Sequence, residues 1–326
     1  MKGLVTVFGG SGFVGSQIVR ALARMGSRVR VAVRQPGRGY RLRMLGDVGQ
    51  IEVVQANVRD DTSVARALEG AEGCINAVAI LYESGRQSFE AVHVEGARRV
   101  AAAAALAGVT RFAHISAIGA DANSPAAYGR TKAAGEAATR EAFPRAAILR
   151  PSVVFGPEDH FFNRFAQMAT TSPALPLIGG GHTRMQPVFV ADVGAAVARA
   201  VWSDEAAGQT FELGGPEAFT FRRLMEIMLE VIQRRRFLVP VPWPMANALG
   251  LLGDLIATSG VAPPLTTDQV ALLRADNVVS PGAPGLNDLG VAPSAVEPII
   301  PSYLYRYRRG GQYASQSEAP EDIPRA

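Results

Sequence analysis

A glycine-rich segment near the start of the chain, residues 9–15, limits the possible folds more than any other feature. It follows an apolar run at residues 4–8 that is short enough to be a buried parallel strand. Apolar residues then recur at helical spacing over residues 14–25, and Gly26 stands where a helix would end. The sequence therefore predicts that the glycines form a turn between a strand and a helix.

Such a turn is suited to binding the pyrophosphate of a dinucleotide. Backbone N–H groups and the helix N-terminus face the ligand there, and a Cβ atom would block its approach. The spacing is G-x-x-G-x-x-G rather than the G-x-G-x-x-G of other dinucleotide folds. A tight turn without a ligand is the alternative interpretation. The residues predicted to contact a cofactor in this segment are Gly9, Ser11, Gly12, Phe13, Val14 and Gly15.

Short apolar runs alternate with helical patterns through the first half of the chain. This alternation predicts an α/β fold with a doubly wound parallel Rossmann sheet and right-handed crossovers. After the first strand, the predicted strands cover residues 29–33, 51–55, 74–80, 112–115 and 147–149, and the predicted helices between them cover 62–68 and 89–106.

The second half of the chain is less regular and predicts a smaller C-terminal α/β lobe. We expect a strand at residues 211–213, a helix capped by Thr220 and an extended connector at 239–244. The expected domain boundaries are a nucleotide-binding domain over 1–156 with 183–202 returning to it, an interaction lobe over 157–309 and an extended tail over 310–326.

Arg34 ends the second predicted strand, nineteen residues after Gly15. In folds that bind NAD, an acidic residue at about this position receives the ribose 2′-hydroxyl. A guanidinium there suits a 2′-phosphate instead, because it donates to two phosphate oxygens at once. Arg34 therefore predicts NADP(H) rather than NAD(H), and a solvated arginine at the end of a strand is the alternative.

Ser116 follows the fifth predicted strand, and Tyr128 and Lys132 come after it at a spacing that places both on one helical face. The lysine charge is expected to lower the cost of ionising the phenol, and the ammonium can also hold ribose hydroxyls. Alone, this pair is common by chance. After the fifth strand of a fold with a glycine turn, it indicates a nicotinamide nucleotide site. If the protein is an enzyme, Tyr128 and Lys132 are the catalytic candidates.

Together with L-R-P-S-V-V-F-G-P at residues 149–157, these motifs resemble the short-chain dehydrogenase/reductase superfamily in its extended or atypical branch. The resemblance implies that Asn57 and Val58 lie by the adenine of the cofactor. It also implies that Val78 lies near the nicotinamide-side ribose and Pro151 near the nicotinamide.

The chain departs from the superfamily pattern at Ala117. The superfamily usually has a second hydroxyl residue at this position, after Ser116, and that hydroxyl would polarise a substrate carbonyl. The departure argues against hydride transfer and leaves cofactor binding intact.

Segments of the second half carry a narrower resemblance. Residues 263–270 and 272–279, together with 114–121 and 161–165, are similar to the nucleotide-binding accessory subunit of respiratory complex I in its bacterial form. The resemblance implies a tightly bound NADPH, distant from the electron path, in a subunit that braces the peripheral arm near the quinone site. The implied partners are the other subunits of complex I and lipid at the membrane surface. The implied location is peripheral, on the cytoplasmic side of the bacterial inner membrane.

A free-standing NADP-dependent oxidoreductase or epimerase of the same superfamily is the alternative, and the intact Tyr128 and Lys132 support it.

Composition and residue spacing argue against several other kinds of partner and site. The net charge of +4 is mild, so we expect no nucleic-acid partner, and His, Asp and Glu residues do not fall at metal-ligand spacing. Cys74 is the single cysteine, which fits a reducing compartment. The longest apolar stretch, 243–256, is interrupted by Asn247 and Asp254, so we predict no transmembrane helix.

Overall fold

The computed structural model describes residues 2–258 and 261–313. In chain order the strands are β1 (Lys2–Phe8), β2 (Ser27–Val33), β3 (Ile51–Gln55), β4 (Gly73–Asn76), β5 (Arg111–Ile115), β6 (Ala147–Pro151), β7 (Val154–Phe155), β8 (Ala174–Ile178), β9 (Arg184–Met185), β10 (Val188–Phe189), β11 (Thr210–Leu213), β12 (Phe219–Thr220) and β13 (Phe237–Val241).

The α-helices are α1 (Phe13–Arg24), α2 (Asp61–Leu68), α3 (Glu95–Leu106), α4 (Ala127–Ala142), α5 (Phe162–Thr171), α6 (Val190–Ala200), α7 (Phe221–Val231), α8 (Trp243–Thr258), α9 (Thr267–Leu272) and α10 (Pro301–Leu304).

Seven parallel strands form the central sheet in the order β11-β6-β5-β4-β1-β2-β3. Helices α1 and α6 pack on one face, and α2, α3 and α4 pack on the other. Because helices cover both faces, apolar side chains of the strands are buried, and Val5, Val7, Val29 and Val31 are fully inaccessible to solvent. The predicted doubly wound Rossmann sheet and the smaller C-terminal lobe are both confirmed.

Two predicted elements of the first domain have different bounds. The predicted fourth strand extends to residue 80, whereas β4 ends at Asn76. The Asn76 Oδ1 accepts a hydrogen bond from the Val78 N–H at 3.2 Å, which turns the chain out of the sheet. The helix predicted over 89–106 begins as a π-helical turn, Glu90–Val94, before α3 continues it.

The C-terminal lobe has its own apolar core. Phe155, Phe162, Leu175, Leu224 and Met228 are fully buried in it, and α5, α7 and α10 contribute to it. Thr220 caps α7 as predicted, because its hydroxyl accepts the Arg223 N–H. The predicted connector at 239–244 is wrong. Its first half, residues 239–241, belongs to β13, which pairs with β8 in parallel register, and α8 begins at Trp243.

Helix α8 uses its smallest residues to pack against the chain just before α9. A Cβ atom on Gly253 would lie 1.7 Å from the Leu265 carbonyl oxygen, and one on Gly250 would lie 2.8 Å from the Thr267 nitrogen. Ala246 and Ala257, at the same helical spacing, are also buried. The large apolar residues of α8 consequently point away from the lobe.

The domain boundaries given above remain our proposal. Besides residues 183–202, β11 also returns to the nucleotide-binding domain, since it pairs with β6 of the central sheet. Of the predicted tail, residues 314–326 lie outside the described residues. Among residues 2–258 and 261–313, no helix has both the length and the apolar character needed to cross a membrane.

Candidate nucleotide-binding site

The predicted site residues follow the carboxyl ends of parallel strands, which meet at one edge of the sheet. The strand order reverses between β1 and β4, and the crevice at such a reversal is the usual ligand site of a doubly wound sheet. Gly9, after β1, and Val78, after β4, are direct neighbours there: a Cβ atom on Gly9 would lie 3.2 Å from Val78 Cγ2. The fold therefore brings residues that are distant in sequence to one cleft.

The three spaced glycines meet three different requirements. Gly9 has φ +78°, a left-handed conformation that other residues rarely adopt, and it lies against the Ala77 carbonyl. A Cβ atom on Gly15 would lie 2.2 Å from the Gly9 oxygen, so Gly15 permits the helix to approach the strand. A Cβ atom on Gly12 would meet only the Gly9 oxygen, at 3.3 Å. Contacts within the protein therefore explain a glycine at position 12 less well than at positions 9 and 15. Close approach of a ligand would explain it.

The N-terminus of α1 opens toward this turn. Gly12 is its N-cap and supplies no side-chain hydrogen bond, and the first turn contains no acidic residue. Such an end presents unpaired N–H groups and a partial positive charge, which favour an anion. The two other predicted contacts of the helix, Phe13 and Val14, form its first turn, while Ser11 lies half-buried in the preceding turn. These residues fit the pyrophosphate of a dinucleotide.

Beyond β2 and β3, a cavity of about 420 Å³ opens between Arg34 and the start of α2. Arg34 is exposed, and its guanidinium donates to the Gln87 side chain. A second arginine, Arg66 on α2, also lines the cavity. Sequence reasoning missed Arg66, because its only signal is a position in the second turn of the helix that follows the third strand. The cavity is also lined by Gln55, Ala56, Asn57, Asp60, Thr62 and Ser63.

Asn57 begins the turn that leads from β3 into α2. Its Oδ1 accepts the Arg59 N–H at 3.1 Å, and its own N–H donates to the Ser63 hydroxyl at 3.0 Å. Val58 is buried against Gly96 of α3. A contact between Val58 and an adenine would therefore come from its backbone.

Ser116, at the end of β5, has a buried hydroxyl with no hydrogen-bond partner among the described residues. Buried polar atoms are rarely left without a partner, so this hydroxyl fits a ligand group in the cleft. Pro151, the last residue of β6, is buried nearby, and its carbonyl accepts the Ile118 N–H at 3.0 Å.

Lys132 is almost fully buried, and its Nζ donates to the Ile115 carbonyl at 2.7 Å. Burial lowers the pKa of Lys132 to about 8, while the nearby Glu136 acts in the opposite direction. Two of its three donors have no protein partner among the described residues, so they are available for ribose hydroxyls.

The sequence predicts that the Lys132 charge lowers the cost of ionising the Tyr128 phenol, but in the structure other groups dominate the pKa of Tyr128. Burial and, after it, the charge of Asp268 raise the pKa of Tyr128 to about 12. A phenol with so high a pKa is a weak proton donor at neutral pH and stays protonated, which suits a hydrogen bond to a ribose better than acid–base catalysis.

Two further residues of the site lacked a clear sequence signal. His93, in the π-helical turn, accepts the Ile80 N–H at 3.1 Å and lies edge-on to the Tyr128 ring. Burial, and then the Lys132 charge, lower the pKa of His93 to about 3, so it is neutral at physiological pH. Asn277, from the C-terminal lobe, accepts from the Ser152 hydroxyl at 2.6 Å and lies 3.4 Å from the Ile118 carbonyl oxygen, to which its Nδ2 donates. It therefore bridges the ends of β5 and β6.

The chain matches the NAD dependent epimerase/dehydratase family over residues 5–214, and it belongs to this family. The predicted superfamily resemblance is thereby confirmed, and a nicotinamide nucleotide is the ligand class that the cleft and the family support.

The predicted narrower resemblance is confirmed too. The chain is 36% identical, over 334 residues, to the mitochondrial NADH dehydrogenase (ubiquinone) 1 alpha subcomplex subunit 9 of Arabidopsis thaliana. That alignment covers 99% of this chain and 83% of the relative. A ceramide reductase of Caulobacter vibrioides is 35% identical over 194 residues, which cover 60% of this chain and 59% of the reductase.

Among solved structures, the NADPH-dependent quinone oxidoreductase QOR2 of Escherichia coli, in complex with NADPH, has the same fold. Its TM-score is 0.70 at 21% identity, and the match covers 92% of this chain and 99% of that one. At this identity the likeness concerns the fold alone.

Proposed function

We propose that this protein is a structural NADPH-binding accessory subunit of respiratory complex I that stabilises the peripheral arm near the quinone site. The observation that carries the proposal is the alignment to a subunit of mitochondrial NADH dehydrogenase over 99% of the chain. That alignment includes the C-terminal lobe, whereas the similarity to a reductase covers 60% of the chain.

The described residues support the following placement of NADPH. The turn from Gly9 to Gly15 and the α1 N-terminus would hold the pyrophosphate, and Asn57 with Val58 would lie by the adenine. Arg34 and Arg66 together would hold the 2′-phosphate, because both line one cavity and guanidinium groups match phosphate oxygens. On the nicotinamide side, the residues of the proposed site are Val78, Ser116, Tyr128, Lys132 and Pro151.

Three observations argue that the bound nucleotide is held and not turned over. Ala117 supplies no hydroxyl to polarise a carbonyl, and removal of such a donor in other active sites costs about 10²–10³ in rate. The raised pKa of Tyr128 disfavours proton transfer. Asn277 bonds to the chain that follows β5 and β6, next to Pro151, and so occupies space beside the proposed nicotinamide site. What the nucleotide supplies when bound is hydride chemistry, and this chain's residues would serve to bind and orient it.

A membrane-surface contact belongs to the same proposal. Met245, Leu251, Leu252 and Leu255 of α8 each expose more than half of their surface. Exposed apolar patches of this kind usually mark an interaction site. The exposed Arg274, whose guanidinium lies 4.9 Å from the Trp243 ring, places a positive charge at the start of α8. An exposed apolar helix with a cation at its end fits an anionic bilayer surface. We propose a peripheral location on the cytoplasmic side of a bacterial inner membrane, as the resemblance to the bacterial form of the subunit implies.

Affinity purification from a mild-detergent membrane extract tests the proposal. We expect the tagged protein to bring down subunits of the NADH:quinone oxidoreductase, and denaturation of the purified material to release NADP(H). Recovery of the chain alone, together with NADPH-dependent reduction of a carbonyl or quinone substrate, would favour the free-standing oxidoreductase. The similarity to ceramide reductase is the observation that supports that second candidate.

A further inference from the structure

Asp268 connects the C-terminal lobe to the helix that carries Tyr128 and Lys132. It lies in the first turn of α9, and its carboxylate accepts the N–H groups of Ala127 at 2.5 Å and Tyr128 at 3.1 Å. These are the first two residues of α4, and its N-cap, Ala126, supplies no side-chain hydrogen bond. A residue 140 positions further along the chain therefore caps α4.

This cap lies at the helix that carries the nicotinamide-side residues of the proposed site. A charged cap at a helix N-terminus satisfies donors that would otherwise lack partners and interacts favourably with the helix dipole. Because Tyr128 itself donates one of the two N–H groups, the cap acts directly on a residue of the proposed cofactor site. Lys132 lies one helical turn further along the same face, so it moves with α4.

Helix α9 is in turn fixed to α8. The Asp254 carboxylate of α8 accepts the hydroxyl of Thr267 at 2.5 Å and its N–H at 3.3 Å. Thr266 and Gln269 form a reciprocal capping box at the start of α9. The glycine contacts described above hold the same segment against the same face of α8. Polar and packing contacts therefore continue from the exposed apolar helix, through Thr267 and Asp268, to Tyr128.

We infer that Asp268 is a positioning residue that couples the packing of α8 and α9 on α4 to retention of the nicotinamide nucleotide. The inference rests on the proposed function, since it needs a bound NADPH. By thermodynamic linkage, whatever holds α8 and α9 in place strengthens nucleotide binding, and nucleotide binding strengthens the α9–α4 contact by the same factor.

The test compares three variants of the full chain by titration with NADPH. Asp268→Asn keeps the size of the side chain and removes its charge, and we expect NADPH binding about tenfold weaker, the scale of about 1.4 kcal/mol for a charged cap. Asp254→Asn acts one step away from α4, and we expect a smaller loss in the same direction. Asp276→Asn is the matched control: its carboxylate accepts the Arg184 N–H and contacts no residue of α4 in the described structure, so binding should stay within about twofold of wild type.

A second readout separates positioning from general loss of stability. The phenol of Tyr128 can be followed by ultraviolet difference titration against a Tyr128→Phe background. Asp268→Asn should lower the pKa of Tyr128, because a negative charge beside the phenol is removed, and Asp276→Asn should leave it unchanged. Asp268→Glu should restore part of the NADPH affinity.

Wild-type affinity in Asp268→Asn, or an equal loss in Asp276→Asn, would overturn the inference while leaving the proposed function standing. Failure of the wild-type protein to bind NADPH at all would refute the proposed function instead, and the inference with it. If Asp268→Asn does not fold, Asp254→Asn decides the question: wild-type NADPH affinity in that variant would exclude the coupling.

Discussion

On the central sheet Val5 and Val31 are completely buried, whereas on α8 Leu251 and Leu255 expose 65% and 70% of their surface. Both stretches are apolar in sequence, so hydropathy alone does not separate them. The difference lies in their neighbours. The sheet has helices on both faces, while α8 is covered only along its small-residue face at Gly250 and Gly253. The first region completes its core within the chain and leaves a polar cleft for a small ligand. The second leaves an apolar face for a surface outside the chain.

The largest expected effect comes from a matched pair of glycines in the first region. Gly15→Ala places a Cβ atom 2.2 Å from the Gly9 carbonyl oxygen, and we expect a loss of roughly 3 kcal/mol of unfolding free energy from overpacking. Gly12→Ala has a single contact at 3.3 Å, so the nucleotide-free stability should change by less than about 1 kcal/mol.

The pair is read by thermal unfolding and by NADPH titration. Gly12→Ala should lose at least about tenfold in affinity, because the methyl group faces the space assigned to the pyrophosphate. NADPH should then raise the melting temperature of the wild type more than that of Gly12→Ala. Equal stabilisation by NADPH in both proteins would contradict the placement of the nucleotide.

Acid should destabilise the first region through its buried histidines. The pKa of His93 in the folded protein is about 3, below its ordinary value of 6.5, so only the unfolded chain gains a proton between these pH values. The stabilising effect of neutral His93 is present above about pH 6.5 and is lost as the pH falls toward 3. Between pH 6.5 and about 4.5 this amounts to about 2–3 kcal/mol.

His93→Gln removes this titration and should flatten the acid side of a plot of melting temperature against pH. Some slope should remain, since burial also lowers the pKa of His114, with Lys132 and His93 adding to the effect. An identical acid profile in the wild type and His93→Gln would show that His93 is not buried in its neutral form.

Cofactor selectivity is the next largest effect. Arg34→Asp should weaken NADPH binding by about 1.5–3 kcal/mol and should affect NADH much less, because only NADPH carries the 2′-phosphate. Arg66→Ala should cause a smaller loss with the same selectivity. Competitive titration with both nucleotides measures this, and equal losses for NADPH and NADH would place the arginines away from the 2′-phosphate.

Substitutions of exposed residues on α8 should not affect the central sheet or its nucleotide cleft. Leu251→Ser combined with Leu255→Ser should change the stability of the isolated chain by less than about 0.5 kcal/mol, since both side chains are exposed. Binding to vesicles of anionic phospholipid should fall severalfold. Leu106→Ser on α3, whose side chain is 91% exposed, is the control and should bind like the wild type. If all three bind alike, or if the double variant still binds fully, α8 does not contact lipid.

More of the nucleotide-binding domain than of the C-terminal lobe could be predicted from the sequence. Local spacing along the chain was enough to find the glycine turn, Arg34 and the Tyr128–Lys132 pair. The turn joins β1 to α1, Arg34 follows β2, and the pair lies on α4. Arg66, Asp268 and Asn277 could not be found in this way, because their roles depend on which distant elements pack together. The high pKa of Tyr128 was missed for the same reason, since burial and Asp268 act from outside its own helix. In the C-terminal lobe, Pro240 and Pro242 favour extended, unpaired chain, whereas residues 237–241 pair with β8.

The smallest expected effect concerns turnover. Tyr128→Phe should leave NADH:quinone oxidation by the assembled complex near normal, while NADPH is held more weakly, because only a ribose hydrogen bond is lost. Lys132→Ala should release more nucleotide, since it removes a charge as well as donors. Activity is compared in complexes whose subunit content is confirmed to be normal. A collapse of quinone reduction in Tyr128→Phe would mean that the tyrosine takes part in chemistry.

The central claim is that the subunit binds NADPH without turning it over. The most direct test is to follow the bound NADPH while the host complex oxidises NADH. The purified complex is loaded with isotopically labelled NADPH on this subunit and then given NADH and quinone for many cycles. The bound nucleotide is identified by mass spectrometry before and after. We predict labelled NADP(H), about one per chain and unexchanged, after sustained turnover. Loss of the label in step with NADH oxidation, or recovery of NAD(H) in its place, would contradict the account.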